Sequence, residues 1–64
     1  MDAHSHEATL HYEFGQYQVV RPGSYVVCSM TGLRILLEDL RYWSVSRQEP
    51  YATAAAATKR EAGG

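Results

Sequence analysis

Cys28-Ser29-Met30-Thr31-Gly32-Leu33-Arg34-Ile35-Leu36-Leu37, continued by Leu40-Arg41-Tyr42-Trp43-Ser44-Val45-Ser46-Arg47-Gln48-Glu49-Pro50-Tyr51, is the stretch whose reading decides the fold. Thr31-Gly32 marks a turn, and Leu33 to Leu37 reads as a strand. Glu38-Asp39 interrupts the apolar run. Beyond it Leu36, Leu37 and Leu40 also suit one face of a helix, but the adjacent aromatics Tyr42 and Trp43 favour extended backbone. Ser46 and Glu49 stand at the spacing of a capping box, which predicts a short helix that Pro50 stops almost at once.

Toward the N-terminus, Tyr25 to Cys28 is an apolar strand preceded by Arg21-Pro22-Gly23-Ser24. Pro-Gly fits the centre of a type II turn, with proline setting φ and glycine taking the positive value. Gln16 to Val20 alternates and forms a further strand. Before it, Leu10, Tyr12 and Phe14 alternate with His11 and Glu13, and Gly15 permits a reversal between the two. Toward the C-terminus, Thr53 can cap a helical run over Ala54 to Arg60, with Lys59 and Arg60 suiting its C-terminal dipole. Gly63-Gly64 reads as loose. The expected fold is α+β: a small, mostly antiparallel β meander of about four strands, then one or two short C-terminal helices. Residues 1–9 are expected to be a disordered tail, 10–52 a single β-rich domain, and 53–64 an alanine-rich tail that is weakly helical or disordered.

Sixty-four residues lie near the lower limit for a chain that folds without disulfides or metal. The net charge is −1, so the chain lacks the basic footprint that draws proteins onto phosphate backbones. The single cysteine excludes an internal disulfide and suits a reducing compartment. No apolar run approaches the roughly twenty residues needed to span a bilayer. The N-terminus carries acids and histidines and does not read as a signal peptide. A cytoplasmic protein without membrane contact is expected.

Few residues carry chemistry. His4, His6, His11 and Cys28 are ligand types for zinc, yet the first two lie in an unanchored segment and the remaining pair is too few for a closed site. Cys28 as a nucleophile or redox thiol needs a base or a positive neighbour, and none is local, so a buried structural cysteine is the plainer reading. Glu38-Asp39 reads as a solvated turn. These features point away from an enzyme, and no cofactor is expected. The aromatic and arginine-rich segment is different, because Trp, Tyr and Arg dominate binding hot spots. Tyr42, Trp43, Arg47 and Tyr51 are therefore the candidate partner-binding residues, against the plainer role of core and lid. The expected function is a protein-interaction module whose partner is another protein or a second copy. The alternatives are a metal or redox sensor using Cys28 with His11, and weak nucleic-acid binding through Arg21, Arg34, Arg41 and Arg47.

Val20-Arg21-Pro22-Gly23, Cys28-Ser29-Met30-Thr31-Gly32-Leu33-Arg34-Ile35-Leu36-Leu37, Leu40-Arg41-Tyr42-Trp43-Ser44-Val45 and Arg47-Gln48-Glu49 with Tyr51 together resemble a family of very small alphaproteobacterial proteins classed as a domain of unknown function, number 2093. The resemblance covers roughly residues 10–52 and implies no activity. Leu36 and Ala54 depart from its pattern, in which proline is common at those places. A second resemblance is structural. Cys28-x-x-Thr31-Gly32 looks like the knuckle of a zinc ribbon or treble clef with its second ligand replaced. Tyr42-Trp43-Ser44-Val45-Ser46-Arg47 looks like the start of a treble-clef helix, with Trp43 and Arg47 in the cysteine places. That resemblance implies a zinc finger whose metal has been replaced by packing.

Overall fold

The computed structural model describes residues 6–62. The expectations for His4, for Gly63-Gly64 and for most of the N-terminal tail lie outside the described residues.

Alternation at the N-terminal end produces a hairpin of β1 (Thr9–Glu13) and β2 (Gln16–Arg21), antiparallel with Tyr12 opposite Tyr17 and Glu13 opposite Gln16. Gly15 turns the chain at φ +78°, a conformation that glycine adopts without steric cost. The register slips between Thr9 and Leu10, so that Val20 bulges from β2. Leu10 and Tyr12 are buried, whereas every residue of β2 except the half-buried Tyr17 is exposed.

The next pair is β3 (Tyr25–Val27) with β4 (Arg34–Leu36), antiparallel with Val26 opposite Ile35. Their connection is a tight turn in which the Gly32 N–H donates to the Cys28 carbonyl at 2.9 Å and the Cys28 N–H to that of Leu33 at 2.8 Å. Gly32 sits at φ +77°. A single 3₁₀ turn, Leu37–Asp39, then leads to β5 (Tyr42–Ser44) and β6 (Glu49–Tyr51), again antiparallel.

The described strands therefore form three separate two-stranded sheets, and the single four-strand meander expected from the sequence is not what forms. The reason lies at β3. β4 takes one of its edges, and residues 6–8 take the other: Glu7 bridges Tyr25 in parallel, and the Ala8 N–H donates to the Tyr25 carbonyl at 2.7 Å. The Ser24 N–H donates to the His6 carbonyl at 3.0 Å. No edge of β3 is left for β2. Gly23 makes this crossing possible, since a Cβ there would come within 2.4 Å of the Ala8 nitrogen and 2.6 Å of the His6 carbonyl oxygen.

The helix expected over Ser46 to Glu49 is also corrected, because residues 45–48 are the turn between β5 and β6. Ser44, rather than Ser46, organises it: its Oγ accepts the Arg47 N–H at 3.1 Å and lies 3.3 Å from the Ser46 Oγ. Short hydroxyl side chains compete with helix formation in this way. The later helix is present as α1 (Ala54–Glu61), and its Thr53 cap accepts the Ala56 N–H at 3.0 Å.

One core joins these pieces: Leu10, Tyr12, Val26, Cys28, Ile35, Leu40 and Tyr51 are buried together with Ala8 and Ala56. The boundaries expected at 9/10 and 52/53 do not divide this packing, since Ala8 and Ala56 lie beyond them yet belong to the same core. Ala56 carries no bulk beyond a methyl group, which lets α1 lie close against β5 and β6.

Candidate functional site

Trp43 stands where the first hairpin, the third hairpin and α1 meet. Its ring stacks on Tyr12 with centroids 5.9 Å apart and planes at 29°, and meets Tyr17 edge-on at 5.8 Å and 83°. Both arrangements are favoured by the ring quadrupoles. The indole Nε1–H donates to the Glu13 carbonyl at 2.8 Å. Beside it, the Gln48 side chain bonds the N–H and the carbonyl of Tyr12 at 2.9 and 2.8 Å. Together these contacts fasten the first hairpin to the third.

Trp43 remains only half-buried. It lines an open groove of about 670 Å³, with Phe14, Arg41, Tyr42, Ala57 and Glu61 among the other lining residues. Phe14 is 90% exposed. Its alternation with Leu10 and Tyr12 suggests a core residue, but the two-residue turn Phe14-Gly15 lifts it onto the hairpin tip. The signal that could have found it is the glycine directly after it.

The candidate residues separate. Tyr42 and Trp43 both line the groove. Arg47 is exposed beside it, with Nη1 4.0 Å from the carboxylate of Glu61 and 3.5 Å from the Arg60 carbonyl. Such an exposed ion pair contributes little to stability. Tyr51 does not line the groove, being 1% exposed in the core, where its hydroxyl donates to Glu49 Oε1 at 2.9 Å and Arg47 also approaches it. It is a packing residue. Burial pushes its phenol pKa up, as does its bond to the Glu49 carboxylate. Glu49 also receives Arg60 Nε–H at 2.8 Å. Burial alone would raise the Glu49 pKa, yet the bonds from Tyr51 and Arg60 outweigh it and hold the carboxyl below its ordinary value.

Cys28 is closed off, with 2% of its surface exposed. The Thr31 N–H points at its Sγ from 3.4 Å. Burial would raise the thiol pKa, but bonds from the Thr31 hydroxyl and from the Ala52, Thr31 and Met30 main chain lower it. His11 lies exposed on β1, its Nδ1 3.6 Å from Glu13 Oε2. Among the described residues, no three His, Cys, Asp or Glu side chains gather as a metal site. The knuckle-like turn at Cys28 is present, but the treble-clef helix start expected at Tyr42 to Arg47 is overturned, because Trp43 lies in β5 and Arg47 in the turn that follows. The arginines are dispersed in their contacts as well: Arg34 lies 4.6 Å over the Tyr25 ring while Arg47 faces Glu61.

No helix among the described residues is long and apolar enough to cross a membrane. No curated protein and no solved structure matches the chain. The family model described as an uncharacterized protein conserved in bacteria (DUF2093) matches residues 19–60, which include β3 to β6 and nearly all of α1, and the chain belongs to that family.

Proposed function

We propose that this chain is a non-catalytic interaction module that receives another protein in the groove beside Trp43, with Arg47 at its margin. The observation that carries this reading is the pairing of a 90% exposed Phe14 with a half-buried Trp43 across one concave surface. Phe14, Tyr42 and Trp43 share that surface, and a contiguous apolar patch rimmed by polar residues marks a contact site where a lone exposed ring would not. Arg41 and Glu61 add charges of both signs to the lining, as at the polar rim of a contact site. The buried Cys28 supports a non-catalytic role, since the strongest nucleophile of the chain is out of reach of substrate. Its free thiol also fits a reducing cytoplasm.

Affinity capture from native cell extract tests the reading, with Arg41→Glu and Tyr42→Ser as groove variants whose side chains are exposed. A defined protein retained by the wild type and lost from both variants supports it. Identical capture profiles sink it.

The second reading keeps only the knuckle of a vestigial zinc ribbon at Cys28, favoured by the turn in which main-chain N–H groups approach the sulfur. Packing then replaces coordination, so a chelator leaves the unfolding midpoint where it was. Unfolding on chelation would instead revive the metal sensor.

A further inference from the structure

We infer that the outer edge of β2 is a self-recognition surface, on which a second copy of this chain pairs antiparallel about a two-fold axis at Gln18. The axis at Gln18 lies outside the groove, and only the far ends of the contact reach Glu13, Phe14 and Gly15, which line it.

The backbone of Tyr12 shows which way the edges face. Its N–H and carbonyl bond Gln48, outside the hairpin, so Tyr12 and Tyr17 are a pair that exchanges no ladder bonds. In an antiparallel ladder such pairs alternate with bonded ones. Tyr17, and by the same alternation Val19 opposite Leu10, therefore turn their N–H and carbonyl groups away from β1. Among the described residues the sheet ends at β2, and these groups meet no further strand.

Edges of this kind are ordinarily blunted by charge, proline or a bulge. From Gln16 to Val19 this one carries none of them, and the Val20 bulge and Pro22 act only at its far end. The two outward-facing residues flank Gln18 symmetrically. A second β2 centred on Gln18 thus sets Tyr17 against Val19 and Val19 against Tyr17, which closes four backbone bonds. The same register brings Arg21 of each copy to the Phe14-Gly15 turn of the other, beside Glu13. Arg21 ends β2 and Glu13 of β1 stands at the turn before its other end, so the antiparallel arrangement sets each against its complement. It also brings the exposed Phe14 alongside Pro22 and covers part of Val19 and Val20, which are 52% and 66% exposed. Such an isologous contact is small, so the dimer exchanges readily with monomer.

Gln18 decides the matter experimentally, because the axis places it opposite itself and its side chain is exposed. Sedimentation velocity on the full chain up to millimolar concentration should show a reversible dimer. Gln18→Lys and Gln18→Glu each set like charges together and should weaken it by about tenfold or more. An equimolar mixture of the two variants should restore association as a heterodimer. Amide exchange at Tyr17 and Val19 should slow as wild-type concentration rises. A chain that stays monomeric throughout overturns the inference. So does a dimer that both variants leave intact, or two weakened variants that fail to rescue each other.

Discussion

The side-chain amide of Gln48 treats the main chain of Tyr12 as a neighbouring strand would: Oε1 accepts its N–H at 2.9 Å, and Nε2 donates to its carbonyl at 2.8 Å. The second Nε2 proton goes to the Val45 carbonyl at 2.7 Å. Both Nε2 protons are therefore used, and the side chain holds its residue at φ 54°, a left-handed conformation unusual for glutamine.

Two opposed effects can be separated at this position. Gln48→Ala strands a partly buried donor and acceptor on Tyr12 while keeping the backbone strain, and should cost about 2 to 3 kcal/mol. Gln48→Gly loses the same bonds but relieves the strain, and should be less damaging by on the order of 1 kcal/mol. Urea midpoints of the two variants check the order. If the glycine variant is the weaker, the strain argument fails.

Trp43→Phe keeps an aromatic ring near Tyr12 and Tyr17 but removes the donor to the Glu13 carbonyl. It should cost about 1 to 2 kcal/mol. Trp43→Ala removes the stacking too and should cost about 3 kcal/mol. Thermal unfolding followed by circular dichroism measures both. Equal losses would mean that the ring contacts contribute nothing.

Glu49 should make the fold acid-sensitive. Its carboxyl is held below the ordinary value of 4.5. The stability it contributes is fully present above that value and is lost as the pH falls through its folded value. Glu49→Gln should flatten this part of the stability curve and lower stability at neutral pH by about 1 kcal/mol. Denaturant titrations at a series of acidic pH values test it. An unchanged acid slope in the variant would assign the effect elsewhere.

The thiol of Cys28 has a lowered pKa, yet only 2% of its surface is exposed. Access should dominate over acidity. Alkylation by iodoacetamide in native conditions should therefore track the opening of the fold and accelerate with denaturant. A native rate close to that of a free thiol would contradict the burial.

Several elements are legible in the sequence for reasons that are local. The Thr53 cap and the alanines after it specify α1, and the Leu10-to-Val20 alternation around Gly15 specifies the first hairpin. Tyr42 and Trp43 are extended, as adjacent aromatics favour. What the residues alone do not reveal is long-range. Residues 6–8 occupy the edge of β3, thirty residues separate Trp43 Nε1 from its acceptor on Glu13, and thirty-six separate Gln48 from Tyr12. The Ser46-to-Glu49 spacing misleads because Glu49 answers to Arg60 and Tyr51 rather than to a capping serine. At the candidate site, Tyr42, Trp43 and Arg47 are legible as aromatic and cationic surface, whereas Phe14 and Ala57 reach the same groove from elements distant in the chain.

Gly23 finally ties residues 6–8 into the folding unit. Residues 6–8 cross a place where any side chain would collide with them, so this glycine works as a keyhole through which the N-terminal segment is threaded. A chain trimmed to start at Leu10 would look complete by hydrophobic pattern, yet it would leave Tyr25 without its Ala8 donor and lose a core alanine. For anyone dissecting this small protein, residues 6–8 have to stay with the rest.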